Sequence, residues 1–302
     1  PMLNNEGALV GVVQVLNKKD GSTFDDKDES LLEALSVQAG VAIQRARLLE
    51  AFVEKQRIQE SLKLAADIQM GMLPKDFPAF PKRDDFDLFA SIIPAKEVGG
   101  DFYDFFLIDD DHLCFVIGDV SGKGVPAALF MAVTKTHVAA STIPGTEPSD
   151  ILIRANDELC KENDQGMFCT IFYGILNTKT GDVRYSNGGH NPPYLVRADG
   201  SNEQLEGTEG IALGVMDGMD FGVNTLTLDK GEAIYLYTDG VNEAMDDDGN
   251  EYSYERLEEF LKKSKGQSTT DIVNGSLDDV KGFVKNAEQS DDITVLTVRY
   301  NG

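Results

Sequence analysis

Aspartates at the ends of predicted strands are the residues of this sequence best suited to chemistry. Asp119 and Asp239 each end an apolar run typical of a buried strand, over residues 113–118 and 233–238. Asp101 and Asp291, by contrast, each stand at the start of such a run. Because the end of one antiparallel strand lies beside the start of its neighbour, we expect all four carboxylates to meet at one rim of a sheet.

The negative charge of such a rim has to be neutralised, and the composition of the chain indicates which ions would do so. Carboxylates that gather without basic partners repel one another, and the nearby Lys96 and Lys123 are too few to balance them. Carboxylate and carbonyl oxygens are the ligands that Mg²⁺ and Mn²⁺ prefer, whereas three histidines and three scattered cysteines argue against zinc. One such aspartate alone would be an ordinary turn residue in an acidic chain, but the four together predict a divalent metal centre.

The segment around Asp119 could also hold an anion. Residues 118–124 read Gly-Asp-Val-Ser-Gly-Lys-Gly and lead into a predicted helix, whose first backbone N–H groups can bind a phosphate. A nucleotide-binding P-loop is excluded, because that loop requires Ser or Thr directly after its lysine and Gly124 follows Lys123.

The overall charge narrows the possible partners. The chain has 302 residues, with 27 Lys and Arg against 52 Asp and Glu, and its net charge of −25 repels nucleic acid and anionic membrane surfaces. No apolar run approaches the ~20 residues that a membrane-spanning helix needs, and the cysteines form no C-x-x-C pair. We therefore expect a cytoplasmic protein without nucleic-acid or membrane partners.

A long helix dominates the first 80 residues. Thr23, with Asp26 three residues later, resembles a helix N-cap, so we predict a helix from about 24 to 72. Its apolar positions form a heptad-like stripe that shifts register at 54–57, a candidate hinge. The stripe before the shift comprises Leu31, Leu35, Ala39, Ala42, Ala46, Leu49 and Val53. Because exposed apolar side chains favour self-association, we predict a homodimer through a parallel helix pair.

Prolines mark the start of the next domain. Pro74, Pro78 and Pro81 interrupt the helical pattern. From Phe86 onward, short strand-like runs recur, many joined by hairpin-sized turns, with helical stretches near 124–141, 148–163, 253–264 and 269–287. This mixture lacks the strict strand–helix alternation of a Rossmann chain, so we predict an α+β domain with helices packed on antiparallel sheets.

Five segments carry a family resemblance. They read VGGDFYD at 98–104, GDVSGKGVPAA at 118–128, NGGHNPP at 187–193, YTDGVNEA at 237–244 and DDIT at 291–294. In this order they resemble the signature set of the bacterial PP2C-like (PPM) serine/threonine phosphatases of the SpoIIE and RsbU type. Residues 7–51 also resemble the last strand and C-terminal helix of a GAF sensor domain. These resemblances divide the chain into a GAF remnant at 1–50, a helical coiled-coil linker at 51–80 and a phosphatase domain at 81–302.

The resemblance implies a four-layer α/β/β/α sandwich that holds two Mn²⁺ or Mg²⁺ ions and a metal-activated water. Asp119 would bridge the two ions, and the carbonyl of Val120 would bind one of them. Asp239 and Asp291 would complete the inner ligands. With Asp119, these two aspartates are the predicted catalytic residues.

Four further residues have less definite roles in this interpretation. Either Asp101 or Asp104 would act near the ions, and the resemblance does not decide between them. Lys123 and His190 are candidate substrate contacts. His190 lies in a Gly-Gly-His-Asn-Pro-Pro turn, where it could donate a proton or serve only the structure of the turn.

The function that the resemblance implies is hydrolysis of phosphoserine or phosphothreonine on a partner protein. The implied substrate is a phosphorylated anti-sigma-factor antagonist of the STAS type in a bacterial partner-switching pathway. One alternative is a pseudophosphatase scaffold, against which the complete set of acidic ligands counts. Another is a GGDEF-type nucleotide cyclase, suggested by GGD at 99–101, but that family requires Glu where Phe102 stands and leaves the other acidic motifs unexplained.

Overall fold

The computed structural model describes residues 1–4, 7–161 and 163–302. The chain divides into two compact units, Pro1–Leu64 and Ala65–Gly302. Among the described residues, no helix combines the length and the apolar character needed to cross a lipid bilayer.

The N-terminal unit contains two short strands and most of one long helix. Strands β1 (Met2–Leu3) and β2 (Leu9–Gly11) pair in antiparallel fashion. Helix α1 runs without interruption over Asp26–Met72. The predicted long helix is therefore confirmed, and the shift in its apolar stripe at 54–57 causes no break in the helix.

Asp25, not the predicted Thr23, caps the start of α1. The Asp25 carboxylate accepts the backbone N–H of Asp28 at 3.1 Å, and the Asp28 carboxylate accepts the backbone N–H of Asp25 at 3.0 Å. These reciprocal hydrogen bonds place negative charge at the positive end of the helix dipole. The neutral hydroxyl of Thr23 could not make that electrostatic contribution.

The C-terminal unit is built on two five-stranded sheets whose neighbouring strands are all antiparallel. The first sheet contains β4 (Phe102–Leu107), β5 (His112–Val120), β6 (Cys169–Asn177), β7 (Asp182–Gly188) and β10 (Asn224–Thr227), in the order β10-β7-β6-β5-β4. The second contains β3 (Phe86–Ile93), β8 (Tyr194–Val196), β9 (Asn202–Gln204), β11 (Ala233–Tyr237) and β12 (Ile293–Tyr300), in the order β3-β12-β11-β8-β9.

Helices cover the outer face of each sheet. Helices α2 (Val125–Ser141) and α3 (Pro148–Lys161) pack on the first sheet, and helices α5 (Ser253–Lys263) and α6 (Thr269–Val284) pack on the second. The short helix α4 (Asp239–Asn242) follows β11 almost directly. Strand β5 is buried along nearly its whole length, as expected for a strand that lies between a helix layer and another sheet.

An apolar core joins the inner faces of the two sheets. Phe102, Phe115 and Phe172 from the first sheet share one buried cluster with Leu236 and Leu296 from the second. A second cluster fills the space between the second sheet and its two helices. This arrangement confirms the predicted α+β class and the four-layer α/β/β/α sandwich.

Strand register brings the acidic positions to one end of the sandwich. Phe102 lies opposite Gly118, so Asp101 lies next to Asp119 at the end of the first sheet. In the second sheet, Tyr237 lies opposite Val295, which sets residues 238–239 beside residues 291–294. The sequence pattern predicted a rim on a single sheet, whereas the structure forms it from one acidic pair on each of two facing sheets.

Candidate metal centre

Asp101 lies at the point where the two sheets meet. Its side chain is buried, with 2% of the residue exposed, and its Oδ2 accepts hydrogen bonds from the Thr238 hydroxyl at 2.7 Å and the Thr294 hydroxyl at 2.6 Å. Burial and the neighbouring charge of Asp119 raise the pKa of the Asp101 carboxyl well above its ordinary value. The first sheet therefore supplies a carboxylate that hydroxyls of the second sheet hold in place.

The other rim carboxylates repel one another. Burial, followed by the charge of Asp239, raises the pKa of Asp119 to about 7, although a hydrogen bond with Asp101 opposes this shift. Burial and the charge of Asp291 likewise raise the pKa of Asp239. Asp101, Asp119, Asp239 and Asp291 therefore lie near enough to one another for the charge of each to act on a neighbouring carboxyl.

Asp104 lies elsewhere. It stands three residues after Asp101, and because successive side chains of a strand alternate in direction, the two aspartates point to opposite faces of the sheet. The Asp104 Oδ2 lies 2.5 Å from the Nζ of Lys135 on α2. Of the two aspartates that the sequence left undecided, the structure places Asp101 at the rim and Asp104 in an ion pair beneath helix α2.

Asp292 organises the loop that precedes Asp101, a role that the sequence analysis missed. Its Oδ1 accepts the backbone N–H of Ala95 at 2.8 Å, and its Oδ2 accepts that of Gly100 at 2.8 Å. Gly99 has to be glycine here, since an added Cβ would lie 2.1 Å from the Asp292 Oδ2. The DDIT motif signals both acids, but sequence alone does not show which of the two faces the rim and which one braces the loop.

Gln69 holds the same loop from its other side. Its Nε2 donates to the Gly99 carbonyl at 2.7 Å, and its Oε1 accepts the Gly99 N–H at 3.2 Å. Gln69 belongs to the C-terminal end of α1, within the Ala65–Gly302 unit. Nothing in the local sequence predicts this contact, because it joins residues 30 positions apart.

Lys123 is paired with the rim. Its Nζ lies 2.8 Å from the Asp291 Oδ2 and donates to the Ser290 carbonyl at 2.5 Å. The Asp291 carboxylate raises the pKa of this lysine. Lys123 therefore offsets part of the negative charge of the rim and fixes the segment before β12.

His190 lies in the interior of the unit. It is 5% exposed, and burial lowers the pKa of its ring to about 4, so the imidazole is neutral at neutral pH. The Nε2 lies 3.2 Å from the Tyr237 carbonyl oxygen. Because a carbonyl oxygen can only accept a hydrogen bond, the Nε2 must be the donor. The Nδ1 lies 3.0 Å from the Thr170 hydroxyl. This position makes His190 a link between β6 and the end of β11.

The donor set of the rim fits hard divalent cations. Across residues 1–4, 7–161 and 163–302, no three His, Cys, Asp or Glu side chains are already drawn together as a metal-holding group. The rim nevertheless offers carboxylate oxygens whose mutual repulsion a cation would relieve. Gly100 packs closely on the Val120 carbonyl, because an added Cβ would lie only 2.7 Å from this oxygen.

A sandwich of two antiparallel sheets between helix layers, with an acidic rim where the sheets meet, defines the PP2C-like class. Among solved structures, the chain resembles the SiaA-PP2C domain of Pseudomonas aeruginosa with a TM-score of 0.73 and 21% identity, over 82% of this chain and 99% of that one. The family model for Stage II sporulation protein E (SpoIIE) matches residues 109–301. The chain belongs to the SpoIIE family, which confirms the resemblance to SpoIIE and RsbU-type PP2C phosphatases.

Two curated relatives extend this comparison. Protein IcfG of Synechocystis is 31% identical over 268 residues, and the phosphoserine phosphatase RsbU of Bacillus subtilis is 29% identical over 263 residues. The matches cover 80% and 86% of this chain. The aligned segment spans 41% of the length of IcfG and 75% of that of RsbU. The GAF remnant at 1–50 stays a prediction.

Proposed function

We propose that this chain is a metal-dependent protein phosphatase that hydrolyses phosphoserine or phosphothreonine on a partner protein. The observation that carries the proposal is the rim of four buried or half-buried carboxylates, supplied in pairs by two facing sheets. The proposed ligands of two Mn²⁺ or Mg²⁺ ions are Asp101, Asp119, Asp239, Asp291 and the Val120 carbonyl. Such ions, when bound, supply an activated water at neutral pH and offset the charge of the transferred phosphoryl group.

The residues of the chain prepare this site before any ligand arrives. The hydroxyls of Thr238 and Thr294 orient the Asp101 carboxylate. Asp292 and Gln69 hold the loop before Asp101 from two sides. Positions fixed in this way reduce the reorganisation that binding and reaction would otherwise require.

A cysteine nucleophile does not fit this chain. Burial raises the pKa of Cys114, Cys160 and Cys169, so all three thiols are protonated at neutral pH. Cys114 and Cys169 are also fully enclosed. A phosphatase mechanism that attacks phosphate with a thiolate therefore has no candidate residue here.

The substrate that we propose is a phosphorylated STAS-type protein in a partner-switching pathway. Similarity to RsbU, which is a phosphoserine phosphatase, supports the phosphoserine chemistry. The complete set of rim carboxylates favours turnover over a pseudophosphatase scaffold. The cyclase alternative is disfavoured, since Phe102, at the position where that family requires Glu, is buried in the core between the sheets.

Hydrolysis of p-nitrophenyl phosphate tests the proposed function. We expect turnover in Mn²⁺ or Mg²⁺ and its loss in excess chelator, because the rim carries the chemistry only when its charge is offset by cations. Phosphorylated STAS proteins from the same genome would then be compared as substrates. Turnover that survives the chelator would contradict the proposal, and phosphoprotein binding without turnover would support the scaffold.

We also propose that α1 forms a homodimer through a parallel helix pair. Leu31 and Leu49 on its apolar stripe are 62% and 63% exposed, which favours burial against a second copy. Leu49→Asp is expected to weaken the dimer measured by light scattering. Ala51→Asp is the matched control, because it adds the same charge on the opposite side of the helix. A wild-type chain that is monomeric at micromolar concentration would contradict the proposal.

The register shift at 54–57 adds a regulatory hypothesis to the dimer. Two pairings of the stripe that differ little in free energy would let a signal select between two states of the enzyme. Under this hypothesis, Leu49→Asp changes the rate of p-nitrophenyl phosphate hydrolysis as well as the oligomeric state. A variant that is monomeric but has an unchanged rate would leave α1 as a dimerising spacer.

A further inference from the structure

A cleft of about 270 Å³ adjoins the acidic rim on the side of the second sheet. It lies between helix α6, the segment after α4, and residues 287–291. The rim residue Asp291 lines the cleft. Gly240, which directly follows the rim residue Asp239, lines it as well. A polypeptide whose phosphorylated side chain reaches the rim would therefore pass close to this cleft.

The floor of the cleft is apolar and its wall is fixed. Ala244, Val280 and Ile293 on the floor are buried against the second core cluster. The wall is held by Gln289, whose Nε2 donates to the carbonyls of Ile93 at 2.8 Å and Asp291 at 2.7 Å. Because these hydrogen bonds already hold the wall in place, an apolar side chain could enter the cleft without the wall having to become ordered.

The mouth of the cleft carries two lysines. Lys281 and Lys285 are exposed, and neither is among the lysines that pair with a carboxylate in the described part of the chain. One exposed acid, Glu288, also lines the mouth. Asp291, which also lines the cleft, is already paired with Lys123, and Asp246 lies within electrostatic reach of Lys285. In a chain with a net charge of −25, Lys281 and Lys285 are thus two ammonium groups at the mouth, outside the ion pairs of the described residues, that can attract an acidic segment.

Lys285 has an unusual backbone conformation. It ends α6 with a φ of +57° and a ψ of −102°, and its N–H donates to the Lys281 carbonyl at 3.1 Å. This region of φ favours glycine. The backbone geometry at the end of α6 therefore does not explain why residue 285 is a lysine, because glycine would adopt this conformation more easily.

We propose that this cleft binds a short segment of the protein substrate next to its phosphorylated residue. An apolar side chain of that segment enters the floor, and acidic side chains that follow it contact Lys281 and Lys285. Because an extended chain advances about 3.3 Å per residue, the segment lies within a few residues of the phosphoserine. This inference rests on the proposed phosphatase function and adds a sequence preference to it.

Binding of synthetic peptides tests the cleft directly. Each peptide carries a non-hydrolysable phosphonate mimic of phosphoserine in a Gly-Ser background, with Leu-Glu-Glu placed two to four residues away on one side or the other. The reference peptides carry Ser-Gln-Gln instead. Fluorescence anisotropy in Mn²⁺ is expected to show about tenfold tighter binding of Leu-Glu-Glu in one of the two placements, and the preference should shrink at high salt.

Variants at the mouth identify the site of this preference. Lys281→Gln combined with Lys285→Gly should remove the preference for Leu-Glu-Glu without lowering stability, because glycine suits the backbone at position 285. Hydrolysis of p-nitrophenyl phosphate should stay unchanged, because neither lysine belongs to the rim. The matched control, Lys262→Gln with Lys263→Gln, removes two lysines from the last turn of α5 and should retain the preference.

The outcomes separate this inference from the proposed function. A wild-type chain that prefers neither placement, or a mouth variant that keeps the preference, would overturn the cleft assignment. A chain that shows the preference but hydrolyses neither p-nitrophenyl phosphate nor phosphoserine peptides would retain the cleft and contradict the phosphatase proposal.

Discussion

Asp119→Asn and Asp239→Asn are each expected to lower the Mn²⁺-dependent turnover of p-nitrophenyl phosphate by orders of magnitude. Each substitution would remove a charged oxygen from the residues proposed to hold the ions, and so would weaken the binding on which the activated water depends. Asp247→Asn, in an exposed turn, is the control and should keep wild-type turnover. Full activity in either rim variant would contradict the two-metal assignment.

Asp119→Asn, which is expected to lose activity, should not destabilise the metal-free fold. Because the pKa of Asp119 is raised from 3.8 to about 7, the folded chain holds this proton more tightly than the unfolded chain. The metal-free wild type should therefore lose stability as the pH rises from about 4 to about 7. Asp119→Asn removes this titration, so urea unfolding in chelator should show a weaker pH dependence and no loss of stability at pH 8. A destabilised Asp119→Asn would show that the carboxylate supports the fold.

Asp292→Asn is expected to lower both stability and turnover. The amide replaces one acceptor oxygen with an N–H₂ group, which would then face the backbone N–H of Ala95 or of Gly100. An unsatisfied buried donor costs about 1–3 kcal/mol. The loop that positions Asp101 would loosen at the same time, so turnover falls as well. Urea unfolding in chelator and p-nitrophenyl phosphate hydrolysis measure the two effects.

The contrast with Asp119→Asn makes this prediction specific. Both substitutions replace a carboxylate with an amide at the same end of the sandwich. Of the two aspartates, only Asp292 accepts backbone N–H groups from the loop before Asp101. A wild-type unfolding midpoint for Asp292→Asn would show that these hydrogen bonds do not stabilise the fold. An unchanged turnover would show that the loop does not position Asp101.

Strand-end aspartates allowed the rim to be predicted because alternation and strand boundaries are local properties of a sequence. The choice between Asp101 and Asp104 was beyond local reasoning, since it depends on which face of β4 meets helix α2 and its Lys135. Gln69 and Asp292 act through hydrogen bonds across 30 and 192 or more positions, which no local pattern encodes.

His190 illustrates a second limit of sequence reasoning. A histidine in a glycine- and proline-rich turn suggests an accessible side chain, and the sequence left a substrate contact open. In the structure the ring is enclosed, and both of its nitrogens have partners in neighbouring strands. Burial of a turn depends on what packs over it, which is a tertiary property.

The division of the rim between two sheets ties ion binding to the folding equilibrium. Each sheet supplies only half of the proposed ligands, so a chain whose sheets have not docked presents no complete site. Ions that bind the native state alone stabilise it by mass action, by about 2.7 kcal/mol at a hundredfold excess over Kd. The cations would then act as a reversible cross-link between the halves of the sandwich, and the folded fraction of the protein would follow the supply of free divalent metal.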